Sequence, residues 1–188
     1  KKRAVPTTVD TAFFVARKKM HHPPFETFER MAAKGNLIPL YREILADLET
    51  PVSALVKLAD RENVFLLESV EGGEKWGRYS ILGADPRVVF RVRGDAVHIE
   101  KNGTTVTRNH EGKPLAILRE LMADCRPVPL DGLPRFYGGA VGFLGYGMIR
   151  FFEKISPGPE ENGADDAVFL LTDTVAVFDN VKHTIKVV

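Results

Sequence analysis

Four short runs of strand-forming residues, 79–84, 88–93, 96–101 and 104–108, follow one another almost without spacers. Gly94-Asp95 and Asn102-Gly103 separate the last three as turn dipeptides. Asn-Gly is a strong short-range signal for a two-residue hairpin, because both of its residues accept positive φ. Short strands joined by turns this tight make an antiparallel meander. Any fold for the chain has to be built around it.

Three helical pieces are expected ahead of the meander. Pro23-Pro24 introduces Phe25, Phe28 and Met31 at helical spacing, and Gly35 stands where a left-handed cap would close that helix. A second periodic segment runs from Leu40 to Leu48, with Tyr41, Ile44, Leu45 and Leu48 on one stripe. Thr50-Pro51 reads as an N-cap followed by a first-turn proline, opening a helix toward Ala59. The run 63–70 then reads as a strand, apolar on both faces and so expected to be covered on both sides. After the meander, Pro114 begins a helix ending near Cys125. Strands are expected over 136–146, 167–178 and 184–188, with a polar loop over 153–165 and a hairpin around Asp179-Asn180. The final alternating run stops without cap or turn. A bare sheet edge is something native proteins usually protect, so the chain is expected to be the front part of a longer one.

Composition narrows the function. A single cysteine, Cys125, excludes an internal disulfide framework and fits a reducing compartment, so a cytoplasmic location is expected. The longest uncharged run, Phe136–Ile149, is 14 residues and rich in glycine. A spanning helix needs about 20 apolar residues, so no membrane partner is expected. Residues 1–19 carry six Lys/Arg against Asp10, which leaves the remainder slightly acidic. That body offers no broad electrostatic footprint for nucleic acid. Residues 1–19 read as an extension before a domain spanning 20–188.

The glycine-rich segment Gly138–Gly147 contains neither a dinucleotide-binding nor a phosphate-loop pattern. Glycine in a strand marks close backbone approach, which is the expectation here. The histidines are scattered without ligand spacing and are read as solvated, and Cys125 is read as an inert helix thiol. No metal site and no catalytic residue is expected. Glu68 and Ser69 stand out, because they end an otherwise apolar strand before the Gly72-Gly73 turn. A buried carboxylate requires a cation. A carboxylate, a hydroxyl and apolar walls together suit a zwitterionic amino acid with a large side chain. In the structural alternative, Glu68 pairs with Arg78 and Ser69 satisfies a turn.

Several of these segments carry a resemblance. Asn36–Glu43 and Leu48–Ala54, Phe65–Val70 with its Leu-Leu-Glu-Ser, Gly77–Gly83 with its Gly-Arg-Tyr-Ser, Gly138–Gly142 and Asp166–Phe169 occur in order over residues 24–188. Together they resemble the N-terminal domain of the anthranilate synthase large subunit. The resemblance implies an α+β fold with antiparallel strands in two packed layers and surrounding helices. It implies a parent enzyme, a lyase that converts chorismate to anthranilate, using ammonia from a glutamine amidotransferase subunit. Mg2+ and chorismate belong to the C-terminal chorismate-binding domain, whose motifs have no counterpart here. The fragment alone is therefore expected to be inactive and to hold no cofactor. L-tryptophan is the implied feedback inhibitor. Ser69 is its first candidate contact and Glu68 the second, with Arg78 and Tyr79 behind them.

Two positions depart from the family pattern. Gly147 stands where the family usually has aspartate, and Asp165 where it usually has proline. The alternative readings are the corresponding part of an aminodeoxychorismate synthase and a stand-alone amino-acid-binding module.

Overall fold

Residues 21–68, 77–154 and 163–188 are described by the computed structural model. The elements before the meander are α1 (Phe25–Ala32), β1 (Arg42–Leu45), α2 (Pro51–Val56), β2 (Phe65–Leu67) and β3 (Tyr79–Gly83). The meander itself is β4 (Val88–Arg93), β5 (Ala96–Lys101) and β6 (Thr104–Asn109). Helix α3 (Pro114–Met122), β7 (Gly139–Leu144) and a 3-10 turn (Tyr146–Phe151) follow, then β8 (Ala167–Thr172), β9 (Val175–Asp179) and β10 (Thr184–Val187). The strands make two five-stranded antiparallel sheets in the orders β1-β10-β9-β3-β2 and β6-β5-β4-β8-β7. The class is α+β.

Local chemistry explains several elements. Asn102 and Gly103 both adopt positive φ, 52° and 72°, as their turn requires. At α2, the Thr50 hydroxyl accepts from the Ser53 amide at 3.0 Å and the Ser53 hydroxyl accepts from the Thr50 amide at 2.9 Å. This reciprocal cap satisfies two amides that the first turn would leave open.

Tertiary contacts override the local reading elsewhere. The stripe Leu40–Leu48, expected to be a helix, contains β1, because Arg42 to Leu45 align with Val187 to Thr184 of β10. Backbone pairing to β10, itself held by β9, outweighs a short helical periodicity. Gly35 is not a left-handed cap. A β-carbon there would overlap the Arg126 carbonyl and lie 2.7 Å from Val128 Cγ2, so glycine serves close packing. Beside it, the Asn36 side chain donates to the Asp124 carbonyl and accepts from the Arg126 amide, both at 2.7 Å. That clamp joins the end of α1 to the exit of α3.

The expected strand 167–178 is two strands in different sheets. β8 lies beside β4, β9 lies beside β3, and the chain changes sheet between Thr172 and Val175. The step from β3 to β4 does the same, with Asp85 at φ 49° ahead of Pro86. The meander is thus confined to β4, β5 and β6, and β3 belongs to the other sheet. The last strand is not a sheet edge. β10 is paired on both sides, by β1 and β9.

Each sheet carries its own core. Phe90, Val92, Val97, Met148 and Ala167 are buried beneath Leu115, Ile117, Leu118 and Met122 of α3. On the other sheet, Leu82, Phe178 and Ile185 are covered by Ala54, Leu55 and Leu58 at α2. Its opposite face packs Ile81, Val175 and Val177 with Phe65 and Phe136. His110, expected to be solvated, is buried. Its Nδ1 accepts from the Gly112 amide at 3.1 Å, which leaves Nε2 to donate to the Gly94 carbonyl at 2.9 Å.

The glycine-rich strand is a packing element. Gly138 and Gly139 have positive φ. A β-carbon at Gly142 would overlap the Val168 carbonyl oxygen and come within 2.8 Å of the Phe169 α-carbon. Backbone cannot rotate away as a side chain can. Gly142→Ala is therefore expected to destabilise the chain by about 1–3 kcal/mol, the usual cost of overpacking. Urea unfolding followed by circular dichroism checks this, and an unchanged midpoint would refute the close-approach reading.

Candidate functional site

Of the candidate residues, Glu68 follows the end of β2, and Arg78 and Tyr79 stand at the start of β3. β2 is an edge strand, with Leu67 aligned to Ile81 of β3. Phe65 packs with Ile81, Val175 and Val177 on one face and Leu66 with Leu82, Phe178 and Ile185 on the other. The strand is thus covered on both sides, as expected, while Leu67 at its end is exposed. Glu68, the next residue, is exposed. Ser69, the first candidate, lies outside the described residues.

Arg78 does not pair with Glu68. Its Nη2 donates to Asp179 Oδ2 at 2.7 Å and its Nε to Oδ1 at 3.1 Å, a fork that grips both carboxylate oxygens. Asp179 is 2% exposed and also accepts from the Val181 and Lys182 amides at 3.2 and 3.1 Å. Burial pushes the Asp179 carboxyl up. The Arg78 hydrogen bonds and the two amides outweigh it and hold the group below its ordinary value. Arg78 is correspondingly raised, chiefly by its hydrogen bonds to Asp179. The guanidinium carbon also lies 5.0 Å from the centroid of the Tyr79 ring.

This geometry divides the four candidates. Arg78 and Tyr79 are fixed together at the start of β3, with the arginine's charge already committed to Asp179. Glu68 is exposed just beyond the end of β2. Sequence reasoning missed Asp179, which it read only as part of a turn, and Asn180, whose side chain donates to Ser80 Oγ and the Gly77 carbonyl, each at 3.3 Å. An acidic residue ending a wholly apolar strand was the available signal.

The two departures from the family pattern sit in one ionic cluster beside the other sheet. A β-carbon at Gly147 would lie 2.9 Å from Arg150 Nη1 and 3.1 Å from Asp166 Oδ1. Arg150 instead donates to Asp166 at 2.8 and 2.7 Å and to the Gly147 carbonyl at 3.1 Å. Asp165 accepts from Arg91 Nη1 at 3.2 Å and Arg93 Nε at 3.0 Å, so it ties the loop before β8 to β4. Among the described residues, no helix is long and apolar enough to cross a membrane.

No family model matches the chain. It is 46% identical to anthranilate synthase component 1 of Pseudomonas putida over 159 residues, which are 82% of this chain and 32% of that protein. The component 1 of Pseudomonas aeruginosa PAO1 is 46% identical over 167 residues, 87% of this chain and 34% of the relative. That of Synechocystis PCC 6803 is 44% identical over 170 residues, 88% and 33% of the two chains. A solved structure of anthranilate synthase component I from Streptococcus pneumoniae TIGR4 aligns with a TM-score of 0.48 and 31% identity, covering 77% of this chain and 30% of that one. The chain spans about a third of the length of the curated relatives it matches. On this sequence identity, the chain belongs to the anthranilate synthase component 1 family, as a relative of its N-terminal part.

Proposed function

We propose that this chain is the N-terminal, tryptophan-sensing portion of a cytoplasmic anthranilate synthase large subunit in tryptophan biosynthesis. The observation that carries the reading is the 46% identity to component 1 proteins over only a third of their length. In this reading the whole subunit converts chorismate to anthranilate with ammonia delivered by a glutamine amidotransferase subunit. Chorismate and Mg2+ are held by the part beyond this chain. The present residues contribute regulation and no catalytic group.

The chemistry of the β2 end supports a sensor for a zwitterion. An ammonium group suits the exposed Glu68 carboxylate, and the Ser69 hydroxyl can both donate and accept. Leu67 and Phe65 offer apolar surface for an indole. Arg78 and Tyr79 act in support: Tyr79 precedes Ile81, the partner of Leu67, by two residues, and the bond to Asp179 holds that end of β3 in place.

Inhibition then follows from linkage. Tryptophan stabilises the arrangement that binds chorismate less well, and chorismate opposes tryptophan to the same extent. Couplings of this kind are typically about 1–3 kcal/mol, or roughly 5–150-fold in affinity. In the complete enzyme, Ser69→Phe fills the site and is expected to relieve tryptophan inhibition while leaving uninhibited anthranilate formation intact. Steady-state assays with and without tryptophan test this. Unchanged sensitivity in that variant removes Ser69 from the site.

A further inference from the structure

The start of β3 is held differently from its end. β2 aligns with Ile81–Gly83 and goes no further, so among the described residues Tyr79 and Ser80 find their ladder partners in β9 alone, at Asp179 and Phe178. Gly77 and Arg78 precede the strand. The turn between β9 and β10 takes hold of them. The Asn180 amide donates to the Arg78 carbonyl at 2.8 Å, and the Asn180 side chain donates to the Gly77 carbonyl and Ser80 Oγ, both at 3.3 Å. With the Arg78 fork on Asp179, the turn binds residues 77, 78 and 80.

The two turn residues have different duties. Asp179 serves its own turn as well, because it accepts from the Val181 and Lys182 amides. Those amides are satisfied without Asn180. The Asn180 side chain instead reaches residues 103 and 100 positions away, and one of them, Ser80, is buried in the sheet. Its hydrogen bonds therefore stabilise the root of β3 rather than the turn that carries it. Leu67 lies opposite Ile81, so the end of β2 and the root of β3 stand side by side. Where residues 77 to 80 are held sets how Arg78 and Tyr79 are presented next to Glu68.

We propose that Asn180, together with Asp179, is a positioning residue for the tryptophan response: it fixes Arg78 and Tyr79 beside the end of β2 and touches no ligand itself. The proposal rests on the sensing reading. Tryptophan then meets a root of β3 that is already ordered. Releasing that root adds an ordering cost to binding, which weakens affinity without removing a contact. The cost falls on tryptophan alone, because in the same reading chorismate and Mg2+ are held beyond this chain.

The test is steady-state anthranilate formation by the complete enzyme with ammonia and Mg2+, chorismate and tryptophan being varied. Asn180→Ala is expected to raise the tryptophan concentration for half-inhibition about 3- to 10-fold, the effect of losing a hydrogen bond of ordinary net strength. The kcat and the KM for chorismate stay unchanged. Lys182→Ala, in the same turn, keeps the backbone bonds and is expected to move none of the three. An unmoved tryptophan response in Asn180→Ala overturns the proposal. So does an equal rise in both variants, or a parallel change in kcat or KM, since a merely structural role would produce either. Where Asn180→Ala fails to fold, Asp179→Asn takes its place: its side-chain oxygen still accepts from the Val181 and Lys182 amides, while the charge facing Arg78 is lost. The same selective rise supports the proposal, and an unchanged response overturns it. Ser69→Phe in the same assay separates this proposal from the reading beneath it. Relief of inhibition by Ser69→Phe with no response to Asn180→Ala sinks the positioning role alone. A rise in Asn180→Ala with Ser69→Phe still fully inhibited supports that role and removes Ser69 from the site. An unaltered enzyme that tryptophan does not inhibit sinks the sensing reading, and the positioning role with it.

Discussion

Replacing Phe90 by alanine is expected to remove about 3–5 kcal/mol of stability, the range seen when a fully buried aromatic ring is deleted. Phe90 is 0% exposed in the middle strand of the second sheet, among Val92, Val97 and Ala167. Its ring meets Phe169 edge-on at 6.4 Å between centroids, so deletion costs an aromatic contact as well as burial. The neighbours belong to paired strands and cannot collapse into the space without shifting β4 against β8. Domains are stable by only about 5–15 kcal/mol, so much of the folded population is at stake. Phe25→Ala provides the comparison: the same atoms are removed from a ring that is 76% exposed, and the change should stay within about 0.5 kcal/mol. Urea unfolding of the two variants separates them. Equal midpoints would mean that the sheet does not depend on this core.

Asp179→Ala is expected to cost about 2–3 kcal/mol, because it leaves the Val181 and Lys182 amides without their acceptor inside a hairpin and strips Arg78 of its counterion. The figure sits below that for a fully buried pair because a third of the Arg78 side chain reaches solvent. The same carboxylate makes stability depend on pH. Its folded value lies below that of the unfolded chain, near 3.9 for an ordinary aspartate, so the folded state favours the ionised form. The contribution is present above that ordinary value and is lost as the pH falls through the folded one. Chemical denaturation between pH 7 and pH 3 should show wild type losing stability faster than Asp179→Asn at the acid end. Parallel profiles would show that Arg78 does not stabilise the charged form.

The two variants also show which features could be read without coordinates. Asn102-Gly103, Thr50-Pro51 and Pro114 act through their own φ preferences and nearest amides, so the hairpin, α2 and α3 were visible in a few residues each. The Arg78–Asp179 fork joins residues 101 apart, and nothing near Arg78 points to that partner. Glu68 was the nearer and more plausible acid by sequence, yet it ends exposed beside an edge strand. The stripe from Leu40 to Leu48 satisfied helical spacing and still became β1, because β10 offered it a ladder.

By itself the sequence determined the antiparallel character of the chain, its tight turns, the Thr50 cap, the packing role of its glycine-rich segment and, through motif order, its family. These depend on backbone preferences within a few residues or on identity along the chain. Only the tertiary structure decided which strands share a sheet, that the run 167–178 divides between two sheets, and that Asp179 takes Arg78. Alternating apolar residues show that a strand has a buried face, but not which partner supplies the opposing hydrogen bonds. That choice belongs to contacts between distant residues, formed when the two cores close.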